Sequence, residues 1–168
     1  MQVNCRQDGL RKLGTRERKA AVYKRILVPT DGSTLSKKAM KSAIQLAASL
    51  GAELVALNVV PRYPTSYFEG GVSLPHSEVA RMEKQWAEQG QAIADEIGKA
   101  AERAGVKARG VTAYSDLVAE AILAAARKHR CDLVVMASHG RKGIKRLLLG
   151  SETQHVLTHG SIPVLVLR

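Results

Sequence analysis

The segment AELVALNVV, residues 52–60, constrains this chain more than any other feature. Only Glu53 and Asn58 interrupt its apolar run, so a strand formed here must be covered on both faces, which requires a sheet sandwiched between helices. Similar runs recur in YKRILVPT from Tyr23, at 106–113, in DLVVMAS at 132–138 and in IPVLVLR at the C-terminus. Helical spacing fills the gaps between them. Ala39, Ala43, Leu46, Ala47 and Leu50 share one face and stop at Gly51. A long polar stretch, about 76–104, has Val79, Met82, Trp86, Ile93 and Ile97 as its inner stripe, interrupted by Gly90 and Gly98. A third helix at about 116–129 turns Val118, Ala121, Ile122 and Ala125 inward, and a fourth starts near Ser151. Five strand runs separated by four helix runs predict an α/β fold: one doubly wound domain with a five-stranded parallel sheet and helices on both faces.

Aromatic residues make up only 4% of the 168 residues, so the core must be built from Val, Leu, Ile and Ala. One domain of this length buries an adequate core without staples. Cys5 and Cys131 match no metal or redox spacing, and Cys131, before an apolar run, reads as a buried small hydrophobe. No apolar stretch approaches the ~20 residues of a membrane span. The N-terminus is basic but lacks the apolar stretch of a secretory signal, so the expected location is the cytoplasm.

The net charge of +11 raises nucleic acid as a partner. Its distribution argues against that reading, because eight of the 26 Lys and Arg lie in the first 25 residues, opposed only by Asp8 and Glu17. Residues 1–22 lack an apolar period and read as a basic, flexible extension, with the folded domain at 23–168. Nucleic-acid binding through this extension remains an alternative function.

Ligands of such sheets bind beyond the carboxyl ends of the strands. After the fourth strand comes ASHGRKGIKRLLLGSET, which holds Gly140, Gly143 and Gly150, then Ser151 and Thr153 at a helix start. Glycines let backbone N–H groups approach a phosphate, and a helix N-terminus adds donors and partial positive charge. Arg141, Lys142, Lys145 and Arg146 make the local field favour a polyanion. The plainer alternative is a turn, with Ser151 as N-cap and a solvated basic face. Asp31, ending the first strand, is placed to accept from ribose hydroxyls, or to form a turn and cap with Gly32 and Ser33. Glu152, His155 and His159 are spaced so that a metal site can be drawn, but no further ligand cluster accompanies them, and none is expected.

Taken together, YKRILVPTDGS, LNVVP, MASHGRKGIKRLLLGSETQHVLTHGS and IPVLVLR resemble the universal stress protein family, over about residues 23–168. The resemblance implies strand order 3-2-1-4-5 and a homodimer paired through the last strand. It also implies ATP binding, with Mg2+ arriving on the nucleotide, through a loop that reads Gly, two residues, Gly, nine residues, Gly, Ser or Thr. On this chain the last three positions are Gly140, Gly150 and Ser151, and Ala137 stands where the pattern has its first glycine. By the same carry-over Pro29, Thr30 and Asp31 border the adenosine, Val59 meets adenine through its backbone, and Met136 and Ala137 floor the pocket. Gly140, Arg141, Gly150, Ser151, Glu152 and Thr153 surround the phosphates. The implied role is a nucleotide-dependent regulatory module in stress response without a dedicated catalytic set. Slow ATP hydrolysis, or self-phosphorylation at Ser151 or Thr153, is the enzymatic alternative.

Overall fold

A computed structural model describes residues 22–61, 76–140 and 149–168. Nine elements alternate along it: β1 (Arg25–Thr30), α1 (Thr34–Leu50), β2 (Glu53–Val60), α2 (His76–Arg103), β3 (Ala108–Tyr114), α3 (Val118–Lys128), β4 (Leu133–Ala137), α4 (Ser151–His159) and β5 (Val164–Leu167). The five strands form one parallel sheet in the order β3-β2-β1-β4-β5, as expected.

The apolar runs become the central strands because both of their faces are covered. On one side Ile26, Val28, Leu54, Ala56 and Val135 pack under Ala43, Ala47, Ile97 and Ala101. On the other, Leu27, Val55, Leu57 and Val134 pack under Ile122, Leu123, Ala126 and Val156. Cys131 lies in this second cluster, and burial pushes its thiol up to about 11.

α1 begins where the Ser33 hydroxyl accepts from Ser36 N–H at 3.2 Å and ends at Gly51, whose φ of 67° suits glycine. α2 runs unbroken through both of its glycines. A Cβ on Gly90 would stand 2.7 Å from Val60 Cγ2 and from Asn58 Oδ1, and one on Gly110 would stand 2.8 Å from the Ala94 backbone. The two glycines therefore let α2 settle closely on β2 and β3, which offsets the helix propensity that Gly90 costs.

Two elements start later than expected. The third strand starts at Ala108 rather than Val106, which is buried but precedes the ladder. α3 starts at Val118 rather than near Asp116, and its N-cap, Leu117, makes no side-chain cap bond. The cap comes from elsewhere: Glu152 Oε2, on α4, accepts from Ala119 N–H at 2.8 Å.

Candidate functional site: a crevice at the switch point

The chain winds from β1 outward to β3, then returns to lay β4 and β5 on the opposite side of β1, which makes the β1/β4 junction the switch point. The register shows the strands parting there. β1 pairs with β2 along its full length, from Arg25–Glu53 to Thr30–Asn58, whereas its register with β4 covers Ile26–Leu133 and Leu27–Val134.

Pro29 lies just past that point. Successive strand residues direct their backbone groups to alternate sides. Lys24 O accepts from Glu53 N–H on the β2 side, so Pro29 faces β4, where the ladder has ended and its missing N–H is not needed. The same alternation places Val59. Val60 O accepts from Ser115 N–H toward β3, so the N–H and C=O of Val59 face the β1 side, one residue beyond the Thr30–Asn58 pair.

Asp31 projects at the end of β1. Its Oδ1 accepts from Ser33 N–H at 3.0 Å, so the turn read from Asp31-Gly32-Ser33 does form, with Gly32 at φ 76°. Its other oxygen borders the loop after β4: a Cβ on Gly140 would stand 3.0 Å from Asp31 Oδ2. The fold thus brings together two residues 109 positions apart that the sequence nominated separately, and glycine at 140 preserves the space between them.

Met136 and Ala137 end β4 as buried residues. Gly150 N–H donates to Ser138 O at 2.9 Å and fixes the start of α4 against the end of β4. A Cβ there would stand 3.2 Å from Ser138 O, so the close approach needs a small residue. The N-cap of α4 is Gly150, not Ser151. Ser151 is the first helical residue and is exposed. The first-turn N–H groups of α4 therefore open at the end of β4, carrying the positive pole of the helix.

Three residues of the expected set make hydrogen bonds within the fold. Thr153 is 2% exposed, and its hydroxyl donates to Ala137 O at 3.1 Å and Ser138 O at 3.3 Å, latching α4 to β4. Thr30 is buried, with Oγ1 accepting from Gly32 N–H and lying 3.2 Å from Ser36 Oγ. Glu152 caps α3, as described above. These residues shape the site from behind. Arg141 and its three neighbouring cations lie outside the described residues, as does the N-terminal extension.

Asn58 stands outside the expected set. Its buried amide donates to Thr30 O at 2.8 Å and locks β2 to the end of β1 directly beneath the crevice. A lone amide inside an apolar run was the available signal, since such a group is buried only when bonded. The histidines drawn as metal ligands have other partners: His155 Nε2 lies 2.7 Å from Glu120 Oε1, and the His155 and His159 rings stack at 4.0 Å. Among the described residues no group of three His, Cys, Asp or Glu could hold a metal ion, and no helix is long and apolar enough to cross a membrane.

Comparison with known proteins gives a consistent result. The profile of the universal stress protein family matches residues 22–168. Universal stress protein MJ0531 of Methanocaldococcus jannaschii is 35% identical over 148 residues, spanning 88% of this chain and 83% of that protein. The solved structure of MJ0577, from the same organism, aligns with a TM-score of 0.73 at 27% identity over 86% of this chain and 95% of that one. A universal stress protein solved in complex with cAMP aligns with a TM-score of 0.63 at 24% identity, over 87% and 97% of the two chains, a likeness of fold.

Proposed function

The chain belongs to the universal stress protein family, and on that premise we propose that it binds ATP, accompanied by Mg2+, in the crevice between β1 and β4. The observation that carries this reading is the approach of Asp31 to Gly140 beside the start of α4. A carboxylate suited to ribose hydroxyls and a helix N-terminus suited to phosphates stand at the two sides of one cleft. The Val59 backbone, directed to the same side, offers an N–H and a C=O to a base edge. Pro29, Met136 and Ala137 give it apolar walls. Gly140 and Gly150 keep the backbone close, and the basic run from Arg141 complements the charge of a polyphosphate.

Occupancy of this crevice is read as a regulatory signal rather than as turnover. The side chains at and behind it hold backbone groups: Asp31 its own turn, Thr153 the carbonyls of Ala137 and Ser138. They bias shape and do not present an activated nucleophile. β5 ends the sheet and exposes Leu165 (40%), which supports a homodimer paired through that strand.

The self-phosphorylation reading narrows to one acceptor, because Thr153 is buried while Ser151 is exposed at the mouth of the helix. Calorimetric titration with ATP, AMP and cAMP, each with and without Mg2+, tests the main reading. Saturable binding with ATP preferred is expected, and Asp31→Ala should weaken it about tenfold, or about 1.4 kcal/mol. An Asp31→Ala protein that binds as tightly as the parent would remove the site assignment. Incubation with γ-labelled ATP separates the two functional readings, since label on Ser151 would favour transfer over binding alone.

A further inference from the structure

The two faces of the sheet are covered unequally. α1 and α2 span 17 and 28 residues, whereas α3 and α4 span 11 and 9. α3 packs over Leu27, Val55, Leu57 and Val134, toward the middle of the sheet, and leaves part of the β3 face open beside it. A cavity of about 580 Å³ results, floored by Leu57, Val111 and Ala113 and walled by Ala121, Ala124 and Ala125. That volume lies within the roughly 300–1,000 Å³ of small-molecule sites. None of its lining residues belongs to the nucleotide crevice.

Polar side chains line both ends of the cavity, with the alanines of α3 between them. Lys128 and His129 line it at the C-terminal end of α3, and Arg109 Nη2 lies 3.0 Å from His129 Nδ1. Arg25 Nη1 donates to the His129 carbonyl at 2.8 Å. Glu53 takes much of the Arg25 charge, but among the described residues neither Arg109 nor Lys128 enters a salt bridge. The end of α3 contributes about half a negative charge there, which two full cations outweigh. His129 registers this field: burial first, then Arg109, Lys128 and Arg25, hold its imidazole below the usual value. At the opposite end Tyr114 lines the cavity and Leu117 follows in the same connection. Both are exposed, at 51% and 67%, while Glu120 is held by His155.

We propose that this groove is a second binding site, for a linear aliphatic carboxylate whose head pairs with Lys128 and Arg109 and whose chain lies along the alanines of α3. The path from Lys128 to Ala121 is seven residues of helix, roughly 10 Å, which suits an extended alkyl chain. The proposal does not depend on the nucleotide reading.

Dodecanoate, titrated into the full chain below its micellar concentration and followed by calorimetry and amide and histidine NMR, is the test. Saturable binding is expected, with amide shifts at Val111 and Ala124 and a raised titration midpoint for His129 as the carboxylate arrives. Ala124→Trp, which fills the groove, and Lys128→Glu, which reverses the head charge, should each weaken binding at least tenfold while ATP titrations of the same variants match the parent. Lys128 is exposed on the last turn of the helix, so its variant keeps the fold even if the tryptophan does not. The proposal is overturned if dodecanoate does not saturate, if Lys128→Glu or a well-folded Ala124→Trp keeps parental affinity, or if dodecanol binds as tightly as the acid.

Discussion

The two ends of the sheet are both rich in polar residues, yet those residues do opposite things. At the amino end Glu53 takes Arg25 at 2.7 Å and Lys107 at 2.7 Å, while the Asp132 carboxylate accepts from the N–H groups of both Lys24, at 2.8 Å, and Arg25, at 2.9 Å. Charge is met by charge or by backbone within the cluster, which ties β1, β2, β3 and β4 together where they begin. At the carboxyl end the side chains of Thr30, Asn58 and Thr153 are spent on backbone groups below the surface, and what reaches the crevice is a carboxylate, two glycines and a helix start. Polar content alone therefore does not mark a site.

That contrast can be broken at either end. The largest expected change is Asp132→Ala, which deletes an acceptor of two charge-assisted bonds and should cost about 2 kcal/mol in urea denaturation while leaving nucleotide affinity untouched. A loss of affinity on that substitution would mean that the two ends are not independent. Glu152→Ala comes next. Removal of the carboxylate that caps α3 should cost about 1 kcal/mol and speed amide exchange at Ala119. Any gain in ATP affinity from the lost negative charge would show that Glu152 also senses the crevice.

A smaller effect concerns pH. Hydrogen bonds first from Lys107 and then from Arg25 hold the Glu53 carboxyl below its ordinary value of 4.5. A depressed folded value means that the stabilisation is present above the unfolded value and is lost as pH falls through the folded one. The loss should therefore begin below about 4.5 and be modest, because the Glu53 side chain is 34% exposed and its ion pairs are screened. Glu53→Gln should flatten that acid limb, and an unchanged limb would assign the loss to other groups. The smallest change is Ala137→Gly. One methyl stands where the family pattern has glycine, so ATP affinity should hold or rise by a few-fold, and a marked loss would show that the loop has been misplaced.

The elements were legible because their signals are local. Strands were read from apolar runs, α1 from its period and from the glycine that ends it. The candidate crevice was legible in part, through Asp31, Gly140 and Gly150, since a carboxylate and glycines after strands fit a ligand site as well as they fit a turn and cap. The bonds of Thr153 and Thr30 were not legible, because a hydroxyl near a phosphate loop and one that ties a turn are identical in sequence. Which it is depends on whether carbonyls from a strand 15 or 16 residues away already use it, as Ser138 and Ala137 do for Thr153.

By itself the sequence determined the number and order of the elements, the two-sided burial of the central strands and the family, because hydrophobic period and apolar run length act within a few residues. Only the tertiary structure decided where side chains point. The cap on α3 comes from α4, 33 residues later, the glycine at 110 exists for the Ala94 backbone, and Asp31 meets Gly140 across the switch point. The groove beside β3 exists because the helix above it lies toward the centre of the sheet. Each of these is a contact between segments distant in sequence, set by how helices pack on a twisted sheet and invisible to any local pattern.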